Sequence, residues 1–319
     1  MATVSPAVRD RLAGYAALVR VPNLFTAPPD VIAGAALVTA AGSVDGSPPV
    51  ATVATLAVAS MSLYAGGTAL NDWADAAVDA EERPERPIPS GVVPRRAAFG
   101  VGVVALVAGV ALAITVGAVA GAVAGLLAVI VAAYDTLLKG KPIGYLAMGA
   151  ARGCNVLLGV SIAGSTVFAA LRETGGLGGV RLPLVAVPAA ILGYIAVVTA
   201  MADDEATGGS RRRILNTGVA SVLAAALLGV VLLAVRPSPA ALAVGLLALG
   251  VFLTRNYQAL RAAYADPVPE TVGPAVGTCV VGESLLVGGV AAAAGVGWSV
   301  AALAFLVPAT VLSRRFNVS

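Results

Sequence analysis

Residues 68–91, TALNDWADAAVDAEERPERPIPSG, gather acidic side chains at the point where an apolar stretch ends. Asn71, Asp72, Asp75 and Asp79 follow one another at spacings of one, three and four. Side chains three and four residues apart share one face of a helix, which predicts a single stripe of carboxylates. Like charges this close need a cation, and hard divalent ions such as Mg²⁺ prefer oxygen ligands. The spacing predicts a magnesium site, and the alternative is a solvated acidic loop that marks a helix end.

A second acidic cluster occurs later in the chain. Its members are Asp203, Asp204 and Glu205. The pentapeptide TAMAD at 199–203 resembles TALND at 68–72, and each closes an apolar span, the second four spans after the first. A four-helix unit used twice would place Asp72 and Asp203 at equivalent points. We interpret the second cluster as a further cation site, and the alternative is an ordinary charged loop at a membrane surface.

The elements that must hold these acids are apolar. The chain is 59% hydrophobic and 12% charged, whereas soluble domains carry about 25% charged residues. A bilayer core requires about 20 apolar residues per helix. The candidate spans are 18–41, 50–72, 96–116, 118–138, 144–168, 183–203, 215–235, 238–256, 271–294 and 297–313. The first is interpreted as a retained span and not a signal peptide, because it is long and lacks a clear cleavage site.

The basic residues predict the orientation of these spans. With the N-terminus inside, only Arg172, Arg181 and Arg236 of the 20 basic residues fall outside. The positive-inside rule then places both termini in the cytoplasm and this multi-pass protein in the cell membrane. We expect one membrane domain over 18–313, flanked by cytoplasmic segments 1–17 and 314–319. The alternative merges the last two segments into one re-entrant unit.

The composition also excludes several kinds of site. The chain has no histidine, which excludes histidine metal sites and histidine-based catalytic triads. Cys154 and Cys279 lie in apolar runs without paired spacing, so we predict two buried small side chains and neither a disulfide nor a zinc site. The net charge of +3 is too small to indicate nucleic-acid binding.

The motif NDWADAAVD, followed by RPERPIPSG, resembles the NDxxDxxxD signature of the UbiA superfamily of membrane prenyltransferases. The placement of the apolar spans extends the resemblance over nearly the whole chain. LYAGGTALND, KGKPIGYLAMGAARGCNVLLG and the arginine pair near the C-terminus look most similar to the EboC-like bacterial subgroup. The resemblance implies an all-helical bundle of about nine spans around a central cavity, against ten predicted here. The second motif departs from the family's DxxxD, because Thr207 stands four residues after Asp203.

The resemblance implies the reaction and its cofactor. An isoprenyl group would move from a prenyl diphosphate to an acceptor that the sequence does not reveal, with Mg²⁺-assisted release of pyrophosphate. Catalysis would depend on Asp72 and Asp75. The implied ligands of the first ion are Asn71, Asp72, Asp75 and Asp79, and those of the second are Asp203 with Asp204 or Glu205.

Basic residues near these motifs are candidates for binding the diphosphate. Lys139 and Lys141 are the only lysines of the chain, and we predict that they contact the diphosphate as point charges; the alternative is anchoring at the membrane interface. The family resemblance favours Tyr134 and Lys139 as catalytic residues. Arg83 and Arg86 either close the loop over the diphosphate or contact lipid headgroups.

Polar residues inside the spans are further candidates. Arg152 and Asn155 lie one helical turn apart in an apolar span, and an intramembrane charge is by default a functional candidate. We expect both in the cavity, bound to substrate, with Asn23 a similar candidate at the start of the first span. Asp30 is predicted to face the cavity, and Glu283 either pairs with a cation or takes a proton.

Three other functions share these features. A membrane terpene cyclase of the same superfamily would use the same metal–diphosphate site and capture the cation internally. A transporter or lipid-binding protein also has polar residues within its spans, but does not need a dense stripe of carboxylates at one interface. A catalytically reduced member would keep only the binding of prenyl diphosphate, which the altered second motif would explain.

Overall fold

The computed structural model describes residues 6–44, 46–165, 182–203 and 209–316, and the regular elements in these ranges are helical. The α-helices are α1 Pro6–Leu18, α2 Val21–Leu24, α3 Pro28–Ala40, α4 Val50–Glu82, α5 Arg95–Val116, α6 Ala118–Ala133, α7 Pro142–Val160, α8 Leu182–Ala202, α9 Arg211–Val235, α10 Pro239–Ala265, α11 Pro269–Ala291, α12 Val296–Ala304 and α13 Leu306–Phe316. A π-helical turn, Tyr134–Leu138, extends α6, and 3₁₀ turns extend α7 and α11.

Ten segments of the described chain are helical, long and apolar enough to cross a membrane, which confirms the predicted number. The first segment combines α2 and α3, and the last combines α12 and α13. Helix α10 continues beyond residue 256, the predicted end of its span, to Ala265. Helix α4 likewise continues beyond residue 72 to Glu82. Its 33 residues measure about 50 Å at about 1.5 Å per residue, whereas the hydrocarbon core is about 30 Å thick. The acidic motif therefore lies on the polar extension of a membrane-spanning helix.

The helices pack in chain order around a buried centre. From α4 to α11, each helix contacts the next one in the sequence. Helix α3 contacts α4, α7, α11 and α12, and every residue from Pro28 to Val38 is buried. The outer faces instead expose large apolar side chains such as Val104, Leu223 and Leu247. An apolar outer surface and a buried central helix suit a bundle surrounded by lipid.

Glycines allow α3 and α7 to approach closely. A β-carbon on Gly159 would lie 2.1 Å from the backbone oxygen of Val31, and one on Gly34 would lie 2.2 Å from that of Val156. Backbone atoms cannot move aside cheaply, so only glycine fits at this crossing. Small residues at helix contacts are common in membranes, where they let the backbones approach.

We expect Gly159→Ala to lower the melting temperature of the detergent-solubilised protein. The added methyl group would force α3 and α7 apart, and overpacking of this kind costs about 1–3 kcal/mol or more. Gly125→Ala is the matched control, because a β-carbon at Gly125 in α6 has open space around it. Equal melting temperatures for the two variants would contradict the close crossing.

Both cysteines are free and buried, as the sequence predicts.

Candidate functional site

Asp72 and Asp79 of α4 contact arginines at the polar end of the bundle. Arg86 donates to Asp79 Oδ2 at 2.8 Å, and its Nη1 also lies 3.5 Å from Asp72 Oδ1. Arg20 Nη2 lies 3.2 Å from the same Asp72 oxygen. Both carboxylates are buried. Two arginines thus neutralise the like charges that the helical spacing brings together.

The backbone of Arg20 has an uncommon conformation. Its φ of 49° and ψ of 56° lie in the left-handed region, which residues other than glycine rarely adopt. The residue stands between α1 and α2, and this conformation accompanies its contact with Asp72 of α4. Backbone strain of this kind concentrates at functional sites. Sequence reasoning counted Arg20 only as an orientation signal, because a basic residue before a span is already explained by the positive-inside rule.

The π turn that extends α6 and its C-cap supply the partners of Asn71 and Asp75. Lys139 Nζ donates to Asp75 Oδ2, and Asn71 Nδ2 donates to Asp135 Oδ1 at 3.1 Å. Two α4 residues four apart thus contact two residues four apart on the π turn and its C-cap. The N–H of Lys139 donates to the carbonyl oxygen of Tyr134 at 3.0 Å and closes the turn. Short π segments frequently occur at functional sites.

A cleft of about 540 Å³ opens beside these contacts. It is lined by Trp73, Ala74, Asp75, Arg95, Asp135, Thr136, Lys139 and Gly140. Arg95 donates to the carbonyl oxygen of Trp73 at 3.3 Å and its guanidinium lies 5.3 Å from the centre of the indole ring. The cleft therefore presents two acids and two cations. Such a lining suits a ligand that combines a metal cation with anionic oxygens.

Asp203 lies close to this region from the second half of the chain. Its Oδ2 accepts from the Tyr145 hydroxyl at 2.6 Å and lies 3.5 Å from Arg213 Nη1. A β-carbon on Gly144, the residue before Tyr145, would lie 3.5 Å from the ring of Tyr134, so Tyr134 stands next to the partner of Asp203. The other two predicted ligands of this motif, at positions 204 and 205, lie outside the described residues.

None of the six predicted substrate-binding residues lines the cleft, Arg86 included. Arg83 caps the end of α4, and its side chain is exposed. Lys141 is also exposed and donates to the carbonyl oxygen of Leu137 at 2.7 Å. Asn23 is half-buried in the short helix α2.

Arg152 lies in the interior of the bundle, where its partners are internal carboxylates, and its binding of substrate stays a prediction. Its Nη1 donates to Asp30 Oδ2 at 3.0 Å and to the carbonyl oxygen of Thr26 at 3.1 Å. Its Nη2 lies 3.6 Å from Glu283 Oε2. A guanidinium buried among apolar spans requires such partners. These contacts link α7 with α3 and α11, and they place Glu283 beside the guanidinium.

Asn155 belongs to the same internal network. Its Nδ2 donates to Asp30 Oδ2 at 2.8 Å and to the carbonyl oxygen of Ala27 at 2.9 Å, and its Oδ1 accepts from Ser60 Oγ at 2.7 Å. These bonds use the polar atoms of Asn155 within the protein. Asn155, like Arg152, therefore stabilises the contact between helices instead of lining the cleft.

The oxygen donors of the first motif fit a magnesium ion. Across the described ranges, no three His, Cys, Asp or Glu side chains already converge as a ligand set, and Asp72, Asp75 and Asp79 each contact a cationic side chain. Asn71, Asp72 and Asp75 nevertheless offer hard oxygen atoms within one turn of a rigid helix, the donor type that Mg²⁺ prefers. Asp135 Oδ2 next to them is buried and has no hydrogen-bond partner among the described atoms.

Sequence reasoning missed Asp135, Tyr145 and Arg95. Asp135 carried a usable signal, because it is the one acidic residue inside the predicted span 118–138. Tyr145 and Arg95 carried none, because a tyrosine or an arginine at the end of a span is ordinary at a membrane interface.

The sequence matches one family and several relatives in it. The model of the UbiA prenyltransferase family matches residues 31–264. Digeranylgeranylglyceryl phosphate synthase of Ignicoccus hospitalis is 36% identical over 151 residues, 47% of this chain and 47% of the relative. The enzyme of the same name from Methanosarcina mazei is 34% identical over 99 residues, 31% of this chain and 34% of the relative. The chain thus spans about half the length, or less, of these curated relatives.

Solved structures share the fold. The apo structure of a UbiA homolog from Aeropyrum pernix K1 matches with a TM-score of 0.61 at 19% identity, over 82% of this chain and 96% of the homolog. A UbiA homolog from Archaeoglobus fulgidus bound to GPP and Mg²⁺ matches with a TM-score of 0.60 at 13% identity, over 91% and 99%. Both TM-scores show that this chain shares the all-helical fold of these homologs. The family match over residues 31–264 shows that this chain belongs to the UbiA prenyltransferase family.

Proposed function

We propose that this protein is an intramembrane prenyltransferase that moves an isoprenyl group from a prenyl diphosphate to an acceptor. The observation that carries the proposal is the cleft at the polar end, where Asp75 and Asp135 lie beside Lys139 and Arg95. Membership of the family supports this reading, as does the homolog from Archaeoglobus fulgidus that binds GPP and Mg²⁺.

Different residues of the site would bind the metal and offset the charge of the diphosphate. Asn71, Asp72 and Asp75 would hold Mg²⁺, which when bound reduces the negative charge that develops on the diphosphate leaving group. Lys139 and Arg86, which now neutralise the aspartates, would also offset the charge of the diphosphate. The bond between the prenyl carbon and the diphosphate oxygen breaks, its electron pair leaves with pyrophosphate, and the acceptor bonds to the carbon and loses its proton. The apolar spans would hold the prenyl chain and exclude water.

Three further assignments concern Tyr134, the acceptor and the subgroup. Tyr134 stays a catalytic candidate because its ring lies beside Gly144 and Tyr145, and the Tyr145 hydroxyl donates to Asp203. The relatives are named for a glyceryl phosphate that carries two geranylgeranyl groups, which supports an acceptor with a phosphate headgroup. The EboC-like subgroup stays a prediction from the sequence motifs.

The test is pyrophosphate release by the purified protein from prenyl diphosphates of several lengths, with and without Mg²⁺. Candidate acceptors are taken from the lipids that co-purify with the protein, identified by mass spectrometry. We expect release that requires both Mg²⁺ and an acceptor. Release without an acceptor, with a cyclic product, would identify a terpene cyclase. Binding of prenyl diphosphate without release under any condition would leave only a binding protein.

Asp203 is expected to serve the same reaction from the second motif. We expect Asp203→Ala to slow Mg²⁺-dependent pyrophosphate release about 100-fold, the effect of removing one well-placed electrostatic group. Asp266→Ala is the control, because Asp266 is an exposed acid that follows α10. An unchanged rate and unchanged Mg²⁺ dependence for Asp203→Ala would exclude a metal role for the second motif.

The orientation of the protein can be tested with one pair of cysteine variants. Ser90 lies in the basic loop after α4, and Ser47 lies in the connection before α4; both are exposed. The positive-inside rule places Ser90 in the cytoplasm together with both termini. In intact cells, a membrane-impermeant thiol reagent should label Ser47→Cys and spare Ser90→Cys. The reverse pattern would invert the topology, and the buried Cys154 and Cys279 give little background.

A further inference from the structure

The contact between Asn71 and Asp135 differs from the other contacts of the α4 motif. Asp72, Asp75 and Asp79 each contact a cationic side chain. Asp135 instead accepts a hydrogen bond from the neutral amide of Asn71 at 3.1 Å, and it is only 8% exposed. A buried carboxylate inside a membrane span is costly and is kept where it has a function.

The hydrogen bond determines which way the Asn71 amide faces. A side-chain amide has one acceptor oxygen and one donor nitrogen on opposite sides of the same carbon. With Nδ2 donating to Asp135 Oδ1, the amide oxygen of Asn71 is turned away from Asp135. No group in the described part of the chain donates to that oxygen, so it can bind a hard cation. The opposite orientation would present N–H groups, which repel a cation.

The packing of the π turn against α4 brings Asp135 and Asn71 together. The π turn places Asp135 against Asn71, and its C-cap residue Lys139 contacts Asp75 one helical turn further along α4. Two contacts at matching spacings define the register of the π turn against α4. Partners behind the ligands of a metal site act in this way, since they orient a ligand without touching the metal.

We propose that Asp135 is a positioning residue that fixes the amide of Asn71 so that its oxygen faces the bound Mg²⁺. The inference rests on the proposed function, because it requires Asn71 to be a ligand of the metal. It also explains why the π turn carries an acidic residue beside a motif that is already rich in acids.

Binding of Mn²⁺, in place of Mg²⁺, in the presence of inorganic pyrophosphate tests the inference without turnover. Free Mn²⁺ is measured by electron paramagnetic resonance as it is titrated into the detergent-solubilised full chain. Loss of a partner behind a ligand typically weakens metal binding about 10- to 100-fold. We therefore expect Asp135→Ala to weaken Mn²⁺ binding about 10-fold or more. Asp135→Asn should stay close to wild type, because its amide oxygen can still accept from Asn71.

The exchange variant Asn71→Asp with Asp135→Asn sharpens the test. It restores a hydrogen bond between the two side chains and leaves an oxygen ligand at position 71. We expect Mn²⁺ to bind this variant more tightly than Asp135→Ala. Asp266→Ala is the matched control and should bind Mn²⁺ like wild type. Melting temperatures without metal show that each variant is folded, and Asp135→Leu, which also lacks an acceptor, replaces Asp135→Ala if the latter is not.

The outcomes separate this inference from the proposed function. Wild-type affinity in a folded Asp135→Ala or Asp135→Leu variant overturns the inference and leaves the proposed function intact. Equal weakening by Asp135→Asn and Asp135→Ala overturns it as well, because charge and not amide orientation would then matter. Failure of the wild-type protein to bind Mn²⁺ overturns the metal site itself, and the inference with it.

Discussion

Asp72→Ala is expected to abolish Mg²⁺-dependent pyrophosphate release, with a loss of about 1,000-fold. Asp72 is buried and its Oδ1 lies within 3.5 Å of both Arg20 and Arg86. Removing the carboxylate would take away a proposed metal ligand and leave the two guanidinium groups without their shared counter-charge. Both effects act on the same reaction, because the arginines would then repel the metal ion that the remaining oxygens are expected to hold.

The companion variant Asp75→Ala acts on the other side of the motif. Asp75 contacts Lys139 and lines the cleft. Its loss is expected to reduce the rate as severely, since Lys139 would lose its partner and the metal a ligand. Asp72→Asn keeps the shape of the side chain without its charge and should be nearly as slow as Asp72→Ala. Glu82→Ala, an exposed acid at the end of the same helix, is the control.

The measurement is the initial rate of pyrophosphate release over a range of Mg²⁺ concentrations, for variants that elute as folded protein in detergent. Near-normal rates in both Asp72→Ala and Asp75→Ala would exclude the first motif as the metal–diphosphate site. A normal rate in Asp72→Asn with a slow Asp72→Ala would show that shape and not charge is what Asp72 provides.

The spans and the acidic stripe could be predicted from the sequence because both depend on local patterns. Runs of apolar residues determine where a helix crosses the membrane, and spacings of three and four determine which side chains share a face. The partners of the acids could not be predicted in this way. Lys139 and Asp75 are 64 residues apart, and only the packing of the π turn against α4 brings them together.

The role of Arg152 shows a different limit. An arginine inside a span correctly indicates that it has a partner there. The sequence does not distinguish a substrate from an internal carboxylate as that partner. Asp30 and Glu283 lie on separate helices far apart in the chain. The fold places both within 3.6 Å of the guanidinium, and no local pattern in the sequence indicates these contacts.

The charges of that network do not balance. One guanidinium faces two carboxyl groups, and Asp30 and Glu283 are both fully buried. Asp30 Oδ1 and both oxygens of Glu283 have no hydrogen-bond partner among the described residues. An unpaired charge among apolar spans costs far more than a neutral polar group. We therefore predict that one carboxyl group carries a proton, and that Glu283, whose contact with Arg152 is the longer one, carries it.

Arg152→Met should destabilise the protein strongly, whereas Glu283→Gln should be tolerated. Removing the guanidinium leaves two buried acids without a cation, and breaking a buried ion pair typically costs about 3–5 kcal/mol. Glutamine resembles a protonated glutamate in size and charge, so Glu283→Gln should change the melting temperature little. Arg255→Met removes an exposed arginine from α10 and serves as the control. The predicted order of stability is checked by heating each variant in detergent and measuring the temperature at which its monodisperse peak is lost. A Glu283→Gln variant as unstable as Arg152→Met would show that Glu283 is ionised in the folded protein.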